Sequence, residues 1–133
     1  DARTRGPQIP FYDVDVELGL KHLEHLEPES NLILSPVGAC DLAMCYTGRA
    51  MGALVPPGTV VLLKAVDRDA IIPGGEYAIV SRKIVTLRIV RAADEEDKVR
   101  LVAGDRENYD DILLNVSDIV AVYKVKGKLI INS

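Results

Sequence analysis

From Cys40 to the end, the chain is a succession of short runs of Val, Ile, Leu and Ala, each cut off by Pro, Gly or a charged cluster. Runs of that length and spacing leave little but sheet open to the fold. "CDLAMCYT" and "GTVVLLKAV" predict two strands around a Pro-Pro-Gly turn. "GEYAIVSRK", "IVTLRIVRA" and "KVRLVAG" predict an antiparallel meander, with the acidic run Asp94 to Asp97 at one solvated turn. "DIVAVYKVKGKLIINS" predicts a final strand pair turning at Lys126-Gly127. Aromatics are only 5% and Trp is absent, so the core has to come from aliphatic residues, many of them β-branched. With 133 residues, the expectation is one mainly-β domain with a sizeable core and one or two short helices.

The upstream part reads differently. Residues 1–8 are polar and end near a proline, as a linker does. "IPFYDVDVELGL" alternates apolar and acidic residues from Phe11 to Leu18, which predicts an extended arm or edge strand. Leu20, Leu23 and Leu26 recur at a spacing of three, predicting a short helical turn closed by Pro28. "SNLILSPVGA" is a short apolar run ending in a Pro and Gly turn. Asp1 stands where an initiator Met would, so a longer parent protein is expected.

Several function classes are disfavoured. A net charge of −4 repels phosphate backbones, so this piece alone is not expected to bind nucleic acid. No run approaches the ~20 apolar residues needed to cross a bilayer. Cys40 and Cys45 lack the spacing of a metal or redox pair and, on a strand, would face opposite sides; they read as core residues of a reducing cytoplasm. His22 and His25 share a Glu-rich turn without a third ligand, so a solvated helix explains them better than zinc. Asn115-Val116-Ser117 matches the glycosylation triplet but follows no secretion signal. "PPGTVV" and "IPGGEYA" read as turns rather than phosphate loops. No cofactor or metal is expected.

One ordered set of segments carries more. "YTGRAM…LVPPGTVVLL" resembles the active-site segment of the LexA, UmuD and phage-repressor family of self-cleaving serine–lysine proteins. Thr47, Gly48, Met51, Pro56 and Gly58 match in register. "IPFYDVDVELG" resembles the cleavage-site segment, with Leu18-Gly19 where Ala-Gly is usual. "GGEYAIVSRKIVTLRIV" resembles the strand pair that presents the catalytic lysine, "GDRENYDDI" the Asn-x-x-Tyr-x-x-Ile segment, and "VYKVKGKL" the closing strand. The resemblance implies a LexA-type C-terminal, signal-peptidase-like β domain over residues 31–133, with a cleavage-arm-like segment at 9–30. It also implies a helix-turn-helix domain upstream, through which alone DNA would be bound, and a homodimer. By the same analogy, the apolar segment Val120 to Ile131 is the expected contact edge.

Both catalytic positions depart from the family. Ala50 stands at the nucleophilic serine, and Arg88 at the lysine general base. The chemistry needs a hydroxyl and a neutral amine to take its proton. Alanine has no oxygen, and arginine stays protonated. Lys83 lies five residues earlier, an odd shift that turns a strand side chain to the other face. The expectation is therefore a non-catalytic regulatory domain, with an inducer, partner or antirepressor in place of cleavage. Two alternatives stay open: a live autoprotease using Thr47 or the Ser81/Lys83 pair, and a ligand- or peptide-binding module reusing the cleft with Arg88 as anion anchor. For Arg88, an ion pair with one of the chain's own acids is the plainer reading.

Overall fold

A computed structural model describes residues 8–33 and 39–130. Among these the fold is mainly β, as expected. Nine strands form one sheet: β1 (Gln8–Asp15), β2 (Ser30–Ile33), β3 (Leu42–Tyr46), β4 (Thr59–Val66), β5 (Glu76–Ser81), β6 (Val85–Ala92), β7 (Lys98–Val102), β8 (Ile112–Asn115) and β9 (Ile119–Leu129). The spatial order is β2-β1-β3-β4-β9-β5-β6-β7-β8. A four-residue helix, α1 (Val16–Gly19), and a 3-10 segment over Leu20–His25 follow β1. Most of the expected linker and the Pro-Gly turn after Ile33 lie outside the described residues.

The expected meander is present: β5, β6 and β7 pair antiparallel in sequence order, and β8 extends it. The hairpin β3–β4 joins Leu42 to Leu63 and Tyr46 to Thr59. The alternating arm is β1, which runs parallel to β3 and antiparallel to β2. Residues 9–30 and the domain that follows therefore share one sheet.

Two expectations are corrected. The closing segment is not a strand pair turning at Lys126-Gly127 but one eleven-residue strand. Opposite β4, Leu62 faces Gly127 while Leu63 faces Val125, so Lys126 is an extra residue that bends the strand without ending it. Nor does the described part of Val120 to Ile131 belong to an outer strand of the sheet. β9 lies between β4 and β5: Val122 to Lys124 is paired on both sides, Ile119 to Ala121 with β5 alone and Val125 to Leu129 with β4 alone. Its exposed apolar side chains are Val120 and Leu129; Ile130 beyond it is exposed too, and Ile131 lies outside the described residues. The cysteine geometry also differs, because β3 begins only at Leu42. Cys40 and Cys45 both flank one small cluster of Ile9, Ala43, Val60 and Leu62.

β4 shows why its sequence is nearly unbroken apolar. Val60 and Leu62 enter that small cluster, while Val61 and Leu63 enter the main core on the other face. The main core also holds Met44, Tyr46, Met51, Val55 and Leu87, together with Val16 and Leu20 from the arm. A further cluster around Tyr77, Ile79, Leu101 and Val122 supports the meander. No helix among the described residues is long and apolar enough to cross a membrane.

Candidate functional site

The segment that carries the resemblance folds as a tight loop between β3 and β4. The Gly58 N–H donates to Tyr46 C=O at 2.7 Å, and the Thr59 hydroxyl donates to Pro56 C=O at 2.6 Å. Gly58 sits at φ 93°, where a side chain is strained, so glycine at this turn has a backbone cause. Met51 and Val55 are fully buried and anchor the loop in the main core. Ala50 is 8% exposed. Its C=O accepts the Asp105 N–H at 2.9 Å, which ties the loop to the segment after β7.

Arg88 lies on β6 and is 7% exposed. Its Nη1 donates to Asp110 C=O at 3.2 Å, its guanidinium carbon lies 5.9 Å from the Tyr109 ring centroid, and its Nε has no hydrogen-bond partner. Lys83 is exposed in the β5–β6 turn, so β6 presents arginine and not lysine. The Ser81 hydroxyl donates to Ile84 C=O at 2.9 Å and accepts the Ile84 N–H at 3.0 Å. It closes that turn and is not paired with the Lys83 ammonium.

The arm is seated against both elements. Asp15 caps α1, its Oδ2 accepting the Glu17 N–H at 3.1 Å. Its Oδ1 accepts from the Thr47 N–H at 2.8 Å and the Thr47 hydroxyl at 2.7 Å. Thr47 thus holds the arm and offers no free hydroxyl. One turn on, Glu17 Oε2 accepts the Leu87 N–H at 3.3 Å. That N–H is available because β7 pairs with β6 only from Ile89 onward. Leu18 is 59% exposed, whereas Gly19 is buried. A Cβ on Gly19 would lie 2.8 Å from Val14 Cγ1 and 2.9 Å from Met44 Cε. The bond that resembles a cleavage site therefore has one side in solvent and the other pressed on the core.

Half-buried Glu17 and buried Arg88 and Tyr46 influence one another electrostatically. Burial pushes the Glu17 carboxyl pKa up, and the Thr86 hydroxyl, the Leu87 N–H, and weakly Arg88, offset this while Asp15 adds to it. Arg88 makes no ion pair among the described residues; its guanidinium donates to the Asp110 carbonyl instead, so the expected internal ion pair is not formed. Burial, then Glu17, pushes the Tyr46 phenol up to about 12. Its hydroxyl has no hydrogen-bond partner; the nearby Met51 N–H lowers the pKa slightly but falls short of hydrogen-bond geometry. Beside the Glu17 carboxyl the cluster offers a phenol and a guanidinium, and neither of these two is a deprotonated nucleophile at neutral pH.

Tyr46→Phe is expected to leave stability unchanged or raise it by up to about 1 kcal/mol, because the lost hydroxyl has no partner to abandon. Urea denaturation measures this, and a loss of stability would show that the phenol holds something. Glu17→Gln gives a pH signature. Because its pKa is raised in the folded state, Glu17 binds its proton more tightly there than when unfolded. Its contribution to stability therefore grows as pH falls through the folded pKa towards the unfolded one, and is least at neutral pH. The glutamine variant should gain on the parent at pH 7 and lose that advantage towards pH 4. Parallel pH profiles for the two proteins would contradict this.

His22 and His25 are exposed, and His25 Nε2 lies 3.4 Å from Glu24 Oε1. No group of three metal-ligating side chains occurs among the described residues. Reading the residues alone missed Asp15, Glu17, Tyr46 and the Gly104-Asp105 tie. Asp15 did carry a signal, an Asp immediately before a short acidic turn, which is the pattern of a helix start. No protein-family model matches the chain, and no curated protein matches it.

Proposed function

We propose that the chain is the non-catalytic oligomerisation and regulatory domain of a cytoplasmic helix-turn-helix transcription regulator of the LexA, UmuD and phage-repressor type. The observation that supports this most is the seating of the arm. Its acidic residue Glu17 accepts the Leu87 N–H on the strand that carries Arg88, and its charge is felt by Tyr46 at the start of the loop that holds Ala50. A self-cleaving protein would need a hydroxyl and a neutral amine there. Instead the arm contributes a carboxylate, and the strand contributes a cation that cannot lose its proton. The arm is held by hydrogen bonds, in a position that self-cleaving relatives would use for chemistry. Dimerisation would supply the binding energy, by bringing two tethered DNA-binding heads to two half-sites at raised effective concentration. DNA would be met only through an upstream domain. The alternative of a live autoprotease finds no support in Thr47 or Ser81, whose hydroxyls are engaged with the arm and the turn.

Time-resolved intact mass at pH 7 and pH 10, with sedimentation equilibrium alongside, tests this reading. The parent chain is expected to stay whole and to sediment as a dimer. Ala50→Ser/Arg88→Lys restores both missing groups, yet the Glu17 carboxylate would hold a lysine at 88 in its charged form. Splitting near Leu18-Gly19 is therefore expected fastest when Glu17→Gln is added. A parent that cuts itself, or a strict monomer, sinks the reading.

A further inference from the structure

Beside the seated arm, an open groove of about 550 Å3 runs between α1 and the β5–β6 turn. Its floor is apolar and accessible: Leu18 is 59% and Val120 66% exposed, and half-buried Ile84 and Val80 line the same groove. Its rim carries Lys21, Arg82 and Lys83. The side chains of these three cations make no hydrogen bond or ion pair with any described residue. The two acids lining the groove are already engaged, Asp15 by Thr47 and Glu17 by Leu87. On a chain of net charge −4, three unpaired cations around an apolar floor invert the general surface. A polar recess containing Arg68 adjoins the groove and shares Arg82 and Val120 with it.

We propose that this groove docks an acidic peptide segment of a partner protein. An apolar side chain would rest on Leu18, Ile84 and Val120, and flanking carboxylates would meet Lys21, Arg82 and Lys83. Charge complementarity selects this occupant over the others. A two-fold contact between copies through the same face would set the three cations against themselves. A nucleic-acid strand would find no aromatic platform in the groove, and the acidic chain repels its backbone. Because Leu18 belongs to the arm, such a partner would press directly on the element that Asp15 and Glu17 hold down. The proposal rests on the reading of the chain as a regulator that does not cut itself, and it names the kind of protein that would act on it.

Fluorescence anisotropy on the full chain tests it, with a fluorescein-labelled peptide carrying one leucine flanked on each side by glutamates. A matched peptide with lysines in place of the glutamates is the control. The glutamate peptide is expected to bind, to weaken several-fold as salt is raised, and to lose about tenfold or more in affinity to Arg82→Glu/Lys83→Glu. Both substituted residues are exposed in the turn, and circular dichroism verifies that the variant folds. No binding, equal binding of the lysine peptide, or full binding to the charge-reversed variant overturns the proposal. So does a fall in sedimenting mass of the variant without peptide, since the groove's occupant would then be a second copy. Self-cleavage of the parent would instead remove the regulatory reading while leaving peptide binding measurable, so the two failures are distinct.

Discussion

Gly104→Ala is expected to lower the free energy of unfolding by about 3 kcal/mol, near the upper end for overpacking. A Cβ at this position would run into the carbonyl oxygen of Met51, lying 2.7 Å from its carbonyl carbon and 3.0 Å from its Cα. These are backbone atoms, and they have nowhere to go. The Met51 side chain is fully buried in the main core, and the Asp105 N–H holds the Ala50 carbonyl at 2.9 Å. Relief would require the whole loop after β3 to lift from the segment after β7. Gly58→Ala is the useful comparison, because its φ of 93° is strained for alanine but a Cβ there meets nothing within 4 Å. That variant should lose only about 1–2 kcal/mol. Urea denaturation of both decides the matter, and a Gly104→Ala loss no larger than that of Gly58→Ala would refute the close approach.

The second large effect is expected at Asp15. Asp15→Ala removes the acceptor of two Thr47 hydrogen bonds and the cap of α1 in one change. Loss of a cap costs about 1–2 kcal/mol and charged hydrogen bonds add to it, so the arm should loosen by roughly 2 kcal/mol. Relief of the repulsion that Asp15 exerts on Glu17 offsets part of this. The readout is local. Trypsin should cut after Lys21 many times faster in the variant, while strands far from the arm keep their hydrogen-exchange protection. Asp15→Asn retains an acceptor and should restore most of the resistance. Unchanged proteolysis in Asp15→Ala would mean that the arm is held by Val16 and Leu20 packing alone.

The strands most legible in the sequence are those set by local pattern. β3 and β4 flank a Pro-Pro-Gly turn whose chemistry is self-contained, and β5 to β7 are joined by short turns rich in charged residues. The closing strand was misread for a physical reason. Lys-Gly is turn-like when considered alone, but here β4 pairs with β9 before and after Lys126, and a bulge at that residue absorbs the irregularity. Propensity yields to pairing when a neighbouring strand supplies the hydrogen bonds. The parallel contact of β1 with β3 is equally invisible locally, because parallel strands are joined by no turn that could announce them.

The candidate site divides along the same line. Ala50, Met51, Pro56 and Gly58 belong to one loop and are recognisable by their order. The bonds that seat the arm join Asp15 to Thr47 across 32 residues and Glu17 to Leu87 across 70. No periodicity spans such distances. By itself the sequence determined the chemistry available: no hydroxyl at 50, a permanent cation at 88, and carboxylates spaced along the arm. The tertiary structure alone decided which of these meet, because folding brings Glu17 to the Leu87 N–H, where burial raises its pKa, and leaves Lys21, Arg82 and Lys83 exposed.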